Sequence, residues 1–194
     1  MATIYDKPLL QIDKDRVVTH VQVSTSGTVS TVIDCPNIFH WQYYLILAPR
    51  TITDTNASNS QSILLDMIPA NPPTGCLMIA SMQSPGTTSP IKAEIEFATI
   101  GSPRVGQFID LFKVKGMDRY TFDDTGSGCL WWLFTGLGYL EQESLVETGA
   151  TESLHKFHQE QISLHPGRHP VPMRKGKFYW SAVFVYTFHT HIEI

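Results

Sequence analysis

Cysteine is scarce and scattered, with three residues at positions 35, 76 and 129. An odd number at such wide spacing makes no disulfide framework; it fits reduced thiols and therefore a cytoplasmic protein. Charge is scarce as well. Only 16% of the residues are charged and the net charge is −4. No basic block or stripe is present, which argues against nucleic acid as a partner. No window reaches the about eighteen apolar residues that a membrane helix needs. The opening Met1-Ala2-Thr3-Ile4-Tyr5-Asp6-Lys7 lacks a charged stretch followed by an apolar one, so no secretory signal is expected. Gly126-Ser127-Gly128 lacks the Lys of a phosphate loop, and Ser127 is not in a nucleophile-elbow context. His155 with His158, and His189 with His191, stand in pairs without a second Cys or carboxylate at zinc spacing. Neither a metal nor a cofactor is expected.

What remains is a chain of 194 residues that is 42% hydrophobic, enough for one packed core. Residues 1–15 are polar around Pro8-Leu9-Leu10 and read as a loosely held arm; 16–194 read as one domain. Val17, Thr19, Val21 and Val23 alternate with their neighbours as a strand does. Val29–Cys35 is a short second run. Phe39–Leu47 is bulky on both faces, as in a central strand covered on both sides. Ser62–Ile68 and Cys76–Met82 follow. Lys92–Ile100 alternates charge with apolar groups, as on an exposed edge. Ser102-Pro103 has the cap-then-proline chemistry of a helix start, with Val105, Phe108, Ile109 and Phe112 as its buried stripe. Residues 130–145 and 151–163 have helical period, the latter with Leu154, Phe157 and Ile162 facing inward. Phe178–Phe188 reads as a closing strand. The layout is α+β: a mainly antiparallel sheet packed with about three helices.

One stretch concentrates the chemistry. Asp123-Asp124-Thr125-Gly126-Ser127-Gly128 is a polar turn that places Cys129 at the start of the second helix, with Asp123 and Asp124 expected as its cap. A thiol at the positive end of a helix dipole is favoured as thiolate, its nucleophilic form. A thiolate nucleophile needs a base, and His40, at the head of the strand Phe39–Leu47, is the natural partner. The imidazole needs a polar neighbour to orient it: Asp66 on the adjacent strand, or Gln42 on the face of His40. Backbone N–H groups around Gly128 and Cys129 are then available to hold an oxyanion. Read without that chemistry, Cys129 is a small core residue, His40 a strand-end core histidine and Asp66 a satisfied edge group.

His40-Trp41 at a strand start, further strands, then Cys129 at a helix start resembles the circularly permuted papain-like group, which includes NlpC-type peptidases and relatives of lecithin:retinol acyltransferase. In those permuted members His precedes Cys, as here. The resemblance implies thiol-based amide or ester hydrolysis, or acyl transfer. Three segments also resemble a fungal protein family of unknown function: His40-Trp41 through Leu47, Ser62-Ile63-Leu64-Leu65-Asp66-Met67, and Arg119-Tyr120 through Gly128-Cys129 and the tryptophans. The run His165–Gly176 fits that family's style. A basic residue is expected after the cysteine; here Leu130 stands there, which makes the mouth of the site more apolar.

The first expectation is therefore thiol chemistry by Cys129 and His40 on a small, apolar molecule. The second is a cofactor-free cyclase of secondary metabolism, pericyclase-like, that folds a terpenoid or polyketide in a pocket lined by His40, Trp41, Tyr43, Trp131 and Trp132. The third is a binding module without turnover.

Overall fold

The computed structural model describes residues 3–27, 38–49, 58–89 and 92–179. The expected strand Val29–Cys35, the run beyond Tyr179 and the pair His189/His191 lie outside the described residues.

Period-two alternation produces the sheet. Eight described strands are β1 (Ile4–Tyr5), β2 (Val18–Ser26), β3 (His40–Leu47), β4 (Ser62–Asn71), β5 (Thr74–Met82), β6 (Lys92–Ala98), β7 (Tyr120–Thr121) and β8 (Lys177–Phe178). They run in the order β6-β2-β3-β4-β5-β7-β8, each pair antiparallel, and β1 adds to β5 in parallel. The sheet curves into a half-barrel packed with three helices, an α+β fold. Alternating charge puts β6 at the edge, as expected.

β3 is central and covered on both faces. Trp41, Tyr43, Leu45 and Leu47 enter the main core with residues of α1 (Val105–Val114) and α2 (Cys129–Gln142). Tyr44 on the opposite face joins Leu64 and Ala80 in a second, smaller cluster. Trp132, Leu133 and Leu137 of α2 are fully buried against the sheet. Each such side chain is worth roughly 1.5–3 kcal/mol on burial, more than the roughly 0.5–1 kcal/mol of side-chain entropy that a leucine loses. That difference holds α2, and so the position of its first residue, against β3 and β4.

Helix starts differ from the sequence expectation. α1 begins at Val105, not at Ser102-Pro103. The segment before it pairs with the start of β2: Val18 N–H donates to Pro103 O at 2.8 Å and Val105 N–H to Arg16 O at 3.0 Å. Those backbone groups are committed to a ladder, so the helix begins only after them. Gln107 Oε1 then accepts the Arg104 N–H at 2.7 Å and caps the first turn. α3 (Ala150–Leu164) buries Leu154, His158 and Gln161, while Ile162 is only half-buried. The arm is also more ordered than its composition suggests. Leu77 N–H donates to Thr3 O, and Asp13, fully buried, accepts the hydroxyls of Ser58 and Ser81.

Candidate functional site: a thiol, an imidazole and a carboxylate at the end of the sheet

β3 and β4 pair with Tyr43 opposite Leu65, so the next register position puts Gln42 opposite Asp66. His40, two residues earlier, lies on the same face. Asp66 is 3% exposed and its two oxygens are both used. Oδ1 accepts from His40 Nε2 at 2.7 Å and Oδ2 accepts from Gln42 Nε2 at 2.7 Å. A carboxylate only accepts, so Nε2 carries a proton and Nδ1 stays outside that pair. Tyr44 donates its hydroxyl to Gln42 Oε1 at 3.3 Å, which fixes the orientation of that amide. The result is one hydrogen-bonded row from Tyr44 through Gln42 and Asp66 to His40.

Cys129 completes it. It is the first residue of α2, half-buried, and its thiol acts on the His40 ring both as hydrogen-bond partner and as charge. Burial depresses the His40 pKa. The Asp66 hydrogen bond and charge, with a further contribution from Cys129, outweigh burial and push it up to about 10. His40 is accordingly an imidazolium at neutral pH, held between a carboxylate and a sulfur.

The α2 start is built differently from the expected cap. Its N-cap is Gly128, at φ 135°, a conformation that a side chain would strain. Asp123 does not cap the helix. Its Oδ1 accepts from Thr125 N–H, Ser127 N–H and the Thr125 hydroxyl, which folds the turn on itself. The first-turn amides of Cys129, Leu130 and Trp131 have no intrahelical acceptor and carry the positive end of the helix dipole.

Tyr120, fully buried, locks this turn. Its hydroxyl donates to Gly128 O at 2.8 Å and accepts the Gly176 N–H at 2.9 Å. Both glycines are pressed against it: a Cβ on Gly128 would stand 2.6 Å from the Tyr120 hydroxyl, and one on Gly176 would overlap Thr121 O. Sequence reasoning assigned Tyr120 and Gly176 no role. β7 and β8 have two residues each, too short for any periodicity, and the lock joins positions 56 residues apart.

A cavity of about 610 Å³ opens beside the thiol. His40, Cys129, Gly128 and Trp41 line it, with Ile38, Phe39, Met67, Phe122, Leu130, Met173 and the prolines at 69, 72, 73 and 170 as its apolar wall. Asp123, Asp124 and Arg174 stand with them, Arg174 donating to the Thr125 hydroxyl. Three of the aromatics expected in the pocket are not among its lining. Tyr43 is fully buried in the core with its hydroxyl on Leu133 O, and Trp132 is fully buried with Nε1 on Met117 O at 2.7 Å. Trp131 is half-buried and carries the Lys175 ammonium 4.1 Å above its ring. Tyr43 shares its strand face with Trp41, and α2 fills the space above it. Met67, Phe122 and the prolines do line the cavity; they come from β4 and the turn after it, from the residue after β7 and from the segment after α3, and no local pattern marks them.

Among the described residues, Cys76 and Cys129 are free thiols, and no helix is long and apolar enough to cross a membrane. Cys76 is buried in β5, and burial pushes its thiol up, away from the reactive form.

A half-barrel that sets a helix-start thiol and a strand-borne His–Asp pair at one cavity defines an α+β domain with a candidate site at the end of its sheet. The chain belongs to the DUF7770 family, a domain of unknown function whose family model matches residues 17–179. No curated protein and no solved structure matches it significantly.

Proposed function

We propose that this protein is an enzyme of thiol acyl chemistry, with Cys129 as nucleophile and His40 as acid and then base. The observation that carries this reading is the His40–Asp66 hydrogen bond at 2.7 Å, set in the wall of the same cavity as the Cys129 thiol. The Cys129 thiolate attacks an acyl carbonyl. The first-turn amides of α2 stabilise the oxyanion, and the His40 imidazolium gives its proton to the departing alcohol or amine. A thioester on Cys129 remains. Neutral His40 then takes a proton from water or a second acceptor as that oxygen or nitrogen attacks the thioester, and the acyl group leaves with the thiolate restored. Asp66 and Gln42 are positioning residues.

The apolar wall favours a small, uncharged acyl group. Leu130, directly after the nucleophile, adds to that wall. The order His40 before Cys129, with imidazole on a strand and thiol at a helix start, supports kinship with circularly permuted papain-like proteins. The chemistry requires a reduced thiol, as the cytoplasm provides.

The test is acyl-enzyme trapping. Incubation with p-nitrophenyl esters of graded chain length should add one acyl mass, mapped to Cys129. Cys129→Ala should abolish the adduct, and His40→Ala should slow its formation by about 10²–10⁴-fold. No adduct with any ester, together with unchanged behaviour of both variants, overturns the proposal.

The apolar cavity also supports the cyclase reading. A cyclase tolerates Cys129→Ser and fails on Trp41→Ala, the reverse of the pattern expected here. A binding module tolerates both.

A further inference from the structure

A second group of histidines stands behind the cavity wall. His158 of α3 is 2% exposed and His169 is 4% exposed, with ring centroids 5.7 Å apart. They share an aromatic box: Trp41 packs edge-on against both, Phe39 against His169 and Phe134 against His158. Among the described residues, none offers a hydrogen-bond partner to any of their four ring nitrogens. An unmet buried donor or acceptor costs roughly 1–3 kcal/mol, and a phenyl ring would fill the same box without that cost. Packing alone therefore does not account for imidazole at these two positions.

An imidazole differs from a phenyl in binding metals and in taking a proton. Among the described residues no group of three or more His, Cys, Asp or Glu side chains is arranged to hold a metal ion. Proton uptake remains. The surroundings are set against it. Burial depresses both rings, to about 4 for His169, and the charges that act on them are those of other histidines: His155 on His158, and His158 and His165 on His169. From the segment after α3, the Arg168 guanidinium stands 5.6 Å from the Phe39 ring, and on β3 His40 flanks Trp41; both are cationic. From α2 the box receives Phe134, and from α3 also Gln161, whose Oε1 is buried without a partner. Among the described residues, no carboxylate acts on either ring.

His169 belongs to the segment 165–176, which lies across the site like a strap. Phe39 N–H donates to Arg168 O at 3.0 Å, and Pro170, Met173 and Arg174 form part of the cavity wall. We propose that the His158–His169 pair is an acid-released latch: packed and neutral it holds the strap against β3, and on protonation it frees the strap and opens the cavity. The sign follows from linkage. A ring with a folded pKa below its free value of 6.5 stabilises the packed state above pH 6.5, and that stabilisation is lost as the pH falls towards 4. His169 alone then raises strap opening roughly 30-fold between pH 7.5 and pH 5.

Hydrogen exchange of the full chain, corrected for intrinsic pH dependence, tests this. At pH 5 residues 165–176 and 38–41 should exchange about 30-fold faster than at pH 7.5, while β4 and β5 do not change. The double variant His158→Phe/His169→Phe should abolish the difference. Equal corrected exchange at the two pH values, or an undiminished acid response in the double variant, overturns the latch. Should that variant not fold, NMR titration of the parent decides: His158 and His169 titrating near 6.5 overturn it, and titration well below sustains it.

Discussion

The hydroxyl of Tyr120 donates to the carbonyl of Gly128, the residue immediately before Cys129, at 2.8 Å. Its only other described bond is the one that it accepts from Gly176 at 2.9 Å. One buried phenol thus joins the turn before Cys129 to the strap. Tyr120→Phe keeps the ring contacts with Phe122 and Phe178 and removes both bonds. It should cost about 1–3 kcal/mol, since Gly128 O and Gly176 N–H lose a buried partner. Acyl-enzyme formation should fall about tenfold, and hydrogen exchange at 126–131 should rise. Unchanged exchange there would show that the hydroxyl positions nothing.

Glycines of the site and of the helix should respond in opposite ways. Gly128→Ala meets the Tyr120 hydroxyl and a φ of 135°, and should destabilise by about 1–3 kcal/mol. Gly138→Ala, inside α2 with nothing within 4 Å of the added Cβ, should stabilise by up to about 1 kcal/mol. Urea denaturation of both variants measures the contrast.

Asp66→Asn tests the ion pair through pH. The His40 pKa is raised from 6.5 to about 10, so the pair's stabilisation is complete below pH 6.5 and disappears as the pH rises through 10. The parent should therefore exceed Asp66→Asn in stability most at pH 6, and the gap should close by pH 10. A gap of constant size would mean that His40 is not charged in the fold.

Much of this site was legible in the sequence because residue chemistry and strand register are local. Period-two alternation located β2 and β6, apolar runs between turns located β3 to β5, and a helix after a glycine-rich turn located Cys129. His40, Gln42 and Asp66 followed from pairing two neighbouring strands. What escaped has a common cause in tertiary contact. Tyr43 and Trp132 resemble pocket aromatics in composition, but Tyr43 lies under α2 and Trp132 packs against it from α2 itself, which makes both core. Asp123 has the chemistry of a helix cap, yet Gly128 takes that place because Tyr120 holds its carbonyl. Ile4–Tyr5 is too short to read as a strand and becomes one only against β5. The fold of Val29–Cys35 lies outside the described residues.

The measurement that bears most directly on the account is the rate of iodoacetamide labelling at Cys129 against pH, in the parent and in His40→Ala. An ordinary thiol loses on the order of 100-fold in rate between pH 8 and pH 6, as its thiolate is protonated. With the His40 imidazolium beside it, Cys129 should lose less rate over that range than an ordinary thiol, and His40→Ala should restore the steep fall. A steep fall in the parent, unaltered by the substitution, would contradict the Cys129–His40 pair and the acyl chemistry built on it.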